Sequence, residues 1–395
     1  MSVTLSDLLS PQVIMGSISR IKVGQGVIGK WLGWHYDSST PGSGGLLGPN
    51  TRESPTRSGV YRIMDDTRTV MQGRAPGTGP GWTPVQPMGE IGYTCCRLHE
   101  KMRLQAELLG AMAKFLGPNS EIDVNGQQYI KEQETFLARR FNNAIELMAA
   151  GLVRGSFYMR SSGESWYPCI NVPAAPYVKV DLRVPVGNTL QLNMLGEGNI
   201  IGTTWASAAA PIISHDLPMI MDAYVQLTGI QPTDFWLGPL TWAALITNSE
   251  VTNAAGSSNT PFEFLRYTDP AKGRDGGMVA VLRGYPMITW HITSEVLVDN
   301  GGTDPSYAAG TGKRVKVIPD NCISIMPPAD EDWQKLITFG EPISEKPGMP
   351  MQKHSGFYLW HEEITQPSAL EIIGLANCTP FLFKPLALVL GTVIF

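Results

Sequence analysis

Between residues 41 and 89 the chain carries ten Gly and seven Pro in 49 positions. Helices do not persist through such a stretch, and long strands hardly form. Yet Val60, Tyr61, Ile63, Val70, Met71 and Trp82 are set among the breakers. A loop of this length inside a compact domain is usually functional or disordered. The β-branched and aromatic side chains favour an extended hairpin that reaches away from the body. Two strand-like runs, 58–64 and 67–72, are expected to flank a turn at Asp65-Asp66.

The segments on either side differ sharply from the loop. Residues 1–40 are irregular but hold Trp31, Trp34 and Tyr36, which points to an arm that docks on something rather than a disordered tail. After the loop, Leu98, Met102, Leu108, Leu109, Met112, Phe115 and Leu116 suggest a helix over 97–116, stopped at Gly117-Pro118. A stronger helix is expected over 127–152. There Ile130, Leu137, Phe141, Ala144, Ile145, Met148 and Leu152 recur every three or four residues. Lys131, Glu132, Glu134, Arg139, Arg140 and Glu146 fall on its other side. At about 1.5 Å per residue, such a helix would run roughly 39 Å.

Beyond residue 176 the pattern turns to β. Residues 177–184 alternate Val178, Val180, Leu182 and Val184 with Lys179, Asp181 and Arg183, the mark of a half-buried strand. A helix is expected at about 216–228, with Ser214 or Asp216 as N-cap and Gly229 as its stop. Residues 234–238 read as a buried strand, and Pro239 opens a short helix over 239–247. Residues 249–277 read mostly as loop. Strands are expected over 287–298 and 315–326, the second bent at Pro319, and 355–395 is β-rich with only Lys384 charged after Glu371. The order is α+β, with no repeated βαβ unit.

At 395 residues the chain exceeds the roughly 250–300 at which one core stops growing, so two substructures are expected. Charged residues make up only 16%, which suits a surface largely covered by partners. The net charge is −5 and no window forms a Lys/Arg stripe, which argues against sequence-independent DNA binding. Cys95, Cys96, Cys169, Cys322 and Cys378 are irregularly spaced and read as small buried hydrophobes, not as a disulfide framework or a zinc site. No signal peptide or membrane span is expected.

Motifs that carry chemistry are weak. Gly24, Gly26 and Gly29 match G-x-G-x-x-G, but the pattern runs into Lys30-Trp31-Leu32-Gly33 and then the Gly/Pro-rich loop. No helix is expected to follow, and without one the pyrophosphate has no amides to meet. Gly310, Gly312 and Lys313 form an incomplete phosphate loop, with Arg314 where Ser or Thr would hold magnesium. His35, His99, His215, His291, His354 and His361 form no H-E-x-x-H, and His291 falls on the polar face of its strand. There is no G-x-S-x-G. No catalytic residue, cofactor or metal site is expected.

Three local signatures and their order resemble the major capsid proteins of tailed phages, the lambda-like capsid E group with the Hong Kong 97 type fold. Arg139-Arg140 followed by Glu146 through Gly155 looks like the second half of that family's spine helix and its entry into the sheet. Asp234 through Trp242 looks like the start of the axial domain's central sheet. Met326-Pro327-Pro328 with Phe339-Gly340 is similar to the exit from that domain, and Gln366 through Val393 resembles the closing peripheral strand.

The resemblance implies an N-terminal arm (1–49), an extended β-hairpin loop (50–92), a peripheral domain (93–180 with return strands 345–395) and an axial domain (181–344). It implies a non-enzymatic subunit that forms homo-pentamers and homo-hexamers of an icosahedral head around double-stranded DNA. It allows decoration, scaffolding and portal partners, DNA on the inner face without sequence-specific binding, and assembly in the host bacterial cytoplasm. Trp31, Trp34, Tyr36 and Trp82, with Arg52, Arg57, Arg62, Arg68 and Arg74, are the expected subunit-interface residues. Arg suits bidentate pairing with a neighbour's carboxylates. Some relatives crosslink through a loop Lys; this loop has none, so no such crosslink is expected. An encapsulin-like nanocompartment shares the fold, and a soluble α+β enzyme is the alternative of a different class.

Overall fold

The computed structural model describes residues 26–34, 48, 50–64, 88–105, 124–162, 165–170, 176–184, 200–253, 262–267, 277–282, 285–299, 313–329, 332–343, 352–354, 356–365 and 368–395. Tyr36, Arg68, Arg74 and Trp82 lie outside the described residues, as do the run 67–72 and residues 106–116.

After a five-residue helix, α1 (Val27–Trp31), the dominant element is the spine helix α2 (Val124–Val153). Its 30 residues give a length of about 45 Å. Ile130, Leu137, Phe141, Ile145, Met148 and Leu152 are buried, as their spacing requires. Two carboxylates expected on the outer side, Glu134 and Glu146, are buried instead. The helix drives its last turns wholly into the core, where a Cβ at Gly151 would sit 2.5 Å from that of Phe157. Gly155, at φ 76°, then reverses the chain.

A five-stranded sheet packs on the spine: β1 (Thr51–Ser54), β4 (Cys96–Gln105), β15 (Gln334–Phe339), β18 (Tyr358–Thr365) and β19 (Ser368–Leu382). Strand β19 is long enough to pair antiparallel with both β18 and β4 along its first part and with β15 along its end, and β1 adds in parallel to β15. The helix expected over 97–116 is therefore corrected for residues 97–105. Leu98 and Met102, four residues apart, fit a period of two as well as a helical spacing, and Leu104 fits only the period of two. The cations interleaved at Arg97, Lys101 and Arg103 settle it for strand.

Strand β2 (Ser58–Met64) pairs with β3 (Met88–Thr94), Ser58 opposite Thr94 and Met64 opposite Met88. The hairpin is thus wider than a turn at Asp65-Asp66 predicts. A three-stranded sheet, β5 (Ser156–Ser162), β6 (Ser165–Cys169) and β7 (Tyr177–Asp181), follows the spine in the order β6-β5-β7.

The second substructure is a six-stranded sheet of β8 (Asp234–Leu237), β9 (Phe262–Tyr267), β10 (Gly277–Leu282), β11 (Tyr285–Thr293), β14 (Cys322–Met326) and β20 (Val389–Thr392). Its order is β20-β14-β8-β11-β10-β9, with only β8 and β11 parallel. Helices α3 (Leu217–Thr228), α4 (Pro239–Thr247) and α5 (Ser249–Asn253) share a core with it. Phe235 and Leu237 join that core, whereas Trp236 joins the core of the spine, so β8 is apolar on both faces. Gly229 ends α3 at φ 68°, as expected. Asp216 does not cap α3: it is itself helical, at the end of a π-turn (Ile212–Asp216), and its carboxylate accepts Trp205 Nε1 at 2.9 Å.

Residues 249–277, read mostly as loop, contain α5 and β9. Three strand expectations need correction. The runs 287–298 and 315–326 each split, because β12 (Val296–Asp299) and β13 (Lys313–Lys316) leave the six-stranded sheet to form a hairpin of their own. The segment 345–395 does not return wholly to the spine sheet, since β20 pairs with β14. The hairpin of β16 (Glu341–Ile343) and β17 (Gln352–His354) completes the described strands.

Candidate subunit interface

The glycine pattern at 24–29 is followed by a helix after all, and the helix meets an anion supplied by its own chain. The amides of Ile28 and Gly29 donate to Glu146 Oε1 (2.9 Å) and Oε2 (2.8 Å), and that of Val27 donates to Glu295 Oε2 (3.0 Å). Unpaired amides at a helix start favour a carboxylate. A Cβ at Gly26 would lie 1.9 Å from Glu146 Oε2, so glycine there is a steric requirement. Glu146 is only 1% exposed. Hydrogen bonds from the arm's amides help offset the desolvation of so buried a carboxylate.

The expected aromatic anchors also dock inward. Trp34 is fully buried within its own chain, and its Nε1 donates to Gln334 Oε1 at 2.5 Å. Trp31 packs edge-on against Trp236 and His291, at centroid distances of 5.4 and 5.9 Å. His291 is not on a polar face. It is buried, stacked on Trp236 and hydrogen-bonded through Nε2 to Asp234 Oδ1 at 2.6 Å. Asn50 fastens the far end of the arm by donating to the carbonyls of Leu32 and Ala329 and accepting from Lys335 Nζ. Trp34 is thus covered by its own chain, a correction to its expected place at a neighbour, whereas Trp31 keeps part of its surface open.

The loop's root is different. Tyr61 of β2 packs with Tyr93, Phe381 and Phe383, and the Arg52 guanidinium lies 5.0 Å over the Tyr61 ring. Arg52 and Arg57 are exposed, Arg57 reaching the Cys95 carbonyl at 3.4 Å. Arg62 belongs to β2. Val60, one strand position before Tyr61, is 60% exposed. Other apolar side chains stand out on separate elements: Phe136 on the spine, Tyr177 and Val178 on β7, Leu240 on α4 and Met287 on β11. Sequence reasoning read Val178 as half-buried and missed Phe136 and Leu240, because an exposed apolar residue on an amphipathic helix carries no periodic signal of its own.

Burial pushes the Cys95 and Cys96 thiols up to about 12 and raises Cys378 as well, the opposite of an activated nucleophile. Among the described residues no three His, Cys, Asp or Glu side chains converge on a metal position. No described helix is long and apolar enough to cross a membrane.

No family model and no curated protein matches the sequence. Solved structures do. The chain is similar to a protein described as the capsid protein of a prophage of Escherichia coli CFT073. The TM-score is 0.53 at 13% identity, over 100% of this chain and 99% of that one. It is also similar to a phage-related protein from Bordetella bronchiseptica RB50, with TM-score 0.47, 11% identity and coverage of 99% and 97%. The SrpI encapsulin of Synechococcus elongatus PCC 7942 gives TM-score 0.39, 12% identity and coverage of 87% and 85%. The first of these shows the fold, the Hong Kong 97 type, from one end of the chain to the other.

Proposed function

We propose that this chain is the major capsid subunit of a tailed bacteriophage. Its pentamers and hexamers close an icosahedral head around double-stranded DNA, and its role is structural rather than catalytic. The observation that carries this reading is the whole-length likeness in fold to the prophage capsid protein. The low charge content, 16%, is in keeping with a surface largely covered by partners. In this reading the spine with its two sheets forms the peripheral domain and the six-stranded sheet forms most of the axial domain. Arg52, Arg57 and Arg62 at the hairpin meet a neighbour's carboxylates. Subunits are made and assembled in the host bacterial cytoplasm and end in the virion, where an acidic chain touches packed DNA without gripping it. Scaffolding, decoration and portal proteins are the further partners.

Negative-stain microscopy of the purified chain tests the proposal. Shells or five- and six-membered rings are expected; a monomer or small oligomer by light scattering would overturn it. Particles recovered from producing cells should protect double-stranded DNA from nuclease, whereas a nanocompartment would hold protein cargo.

A further inference from the structure

Among the described residues, strand β7 is an open edge. It pairs with β5 on one side, Val180 opposite Phe157 and Lys179 opposite Tyr158, and is the last strand of its sheet. Edge strands that stay unpaired are usually blunted by charge, bulges or Pro. Here Tyr177 and Val178 stand 45% and 54% exposed. Alternation in the sequence prepares Val178, Val180 and Leu182 for one buried face, and a single chain buries only the Leu182 end of it.

The strand is complementary to itself. In an antiparallel pair related by a two-fold axis normal to the sheet, opposed residues share a face, so the axis passes through one residue. With Val180 on the axis, Lys179 lies opposite the second copy's Asp181, and Asp181 opposite its Lys179. On the other face Val178 falls beside the second copy's Leu182. The register with Lys179 on the axis sets two lysines against each other, and the one with Val178 on the axis leaves both charges without an opposite. Within one chain the Lys179 to Asp181 contact is long, 3.9 Å, and both groups are exposed, so they remain available. Arg183, at φ 61°, turns the chain away, its amide held by Asp181 Oδ1 at 2.8 Å, and so limits the ladder to this short stretch.

We infer that two copies of this chain join through β7, antiparallel about Val180, merging two three-stranded sheets into one of six strands. A ladder this short does not hold a dimer alone. The inference therefore rests on the shell reading, in which many simultaneous contacts supply the avidity.

Disulfide trapping in assembled particles tests it. Val180→Cys places two thiols face to face on the axis, within the Cα separation a disulfide spans. Mild copper-phenanthroline oxidation should then give a dimer band on a non-reducing gel. Lys179→Cys, opposite an aspartate, should stay monomeric. Particles in which Val180→Cys gives no dimer, or Lys179→Cys gives one as readily, overturn the pairing and leave the shell intact. An unmodified chain that forms no particles overturns the shell reading itself. A charge exchange is the second measurement. Lys179→Asp sets carboxylates against each other and should raise the concentration at which particles form roughly tenfold. Adding Asp181→Lys restores a self-complementary pair and most of the assembly. Failure of that rescue in a folded protein also counts against the pairing.

Discussion

Single residues decide whether the arm is docked. Glu146→Gln keeps the shape but turns an NH2 toward one of the two amides it now receives. A loss of about 1.5–3 kcal/mol is expected, read from the denaturant midpoint, with faster hydrogen exchange at Ile28 and Gly29. Trp34→Ala should cost about 3–5 kcal/mol. It should do so in unassembled protein too, since the indole is buried by its own chain. The buried thiols give a pH dependence. Cys95 and Cys96 are raised from 9.0 to about 12 by burial. The unfolded chain ionises them first, so their contribution is whole below pH 9 and is lost as pH rises toward 12. Stability should fall between pH 8 and pH 10, and the fall should shrink in the Cys95→Ser, Cys96→Ser variant. At this scale the sequence was a partial guide. Cys95, Cys169, Cys322 and Cys378 read correctly as buried, while Cys96 is half-buried. The glycines at 24–29 were set aside for want of a helix, and no local pattern could reveal that a helix starts there on Glu146, well over a hundred residues away.

Elements with long amphipathic runs were legible, and short ones were not. The spine helix and the helices α3 and α4 could be read from spacing and stop signals, because each buries one stripe against one core. Residues 97–105 misled because Leu98 and Met102, four residues apart, satisfied two periods at once. The runs 287–298 and 315–326 misled because alternation continues across a change of sheet, and a strand's pattern does not record which partner it pairs with. At the end of the spine, Arg154 donates to the carbonyls of Ala150, Val317 and Lys316, tying the helix to the segment that leads into β14. Burial holds its guanidinium down at about 10, with carbonyls rather than a carboxylate as its hydrogen-bond partners. Arg154→Ala should cost about 2–3 kcal/mol in the urea midpoint, and Arg154→Lys should recover only part, since an ammonium cannot span three acceptors in a plane.

For the whole molecule, the α+β class and the Hong Kong 97 type fold were readable from the order of parts and the resemblance it carried, whereas the burial of Trp34 by its own chain was not. In the proposed shell there is no loop lysine to weld subunits together. Mature particles boiled in denaturant should run as a single monomer band, and a covalent ladder would contradict that expectation. Residues 389–392 close the sheet that residues 234–237 begin, lying against β14 along its outer edge. Synthesis proceeds from the N-terminus, so a nascent chain holds its spine and arm well before that edge is filled. Until residues 389–392 emerge, the edge of β14 that they pair with stays open, a template that other strands could join.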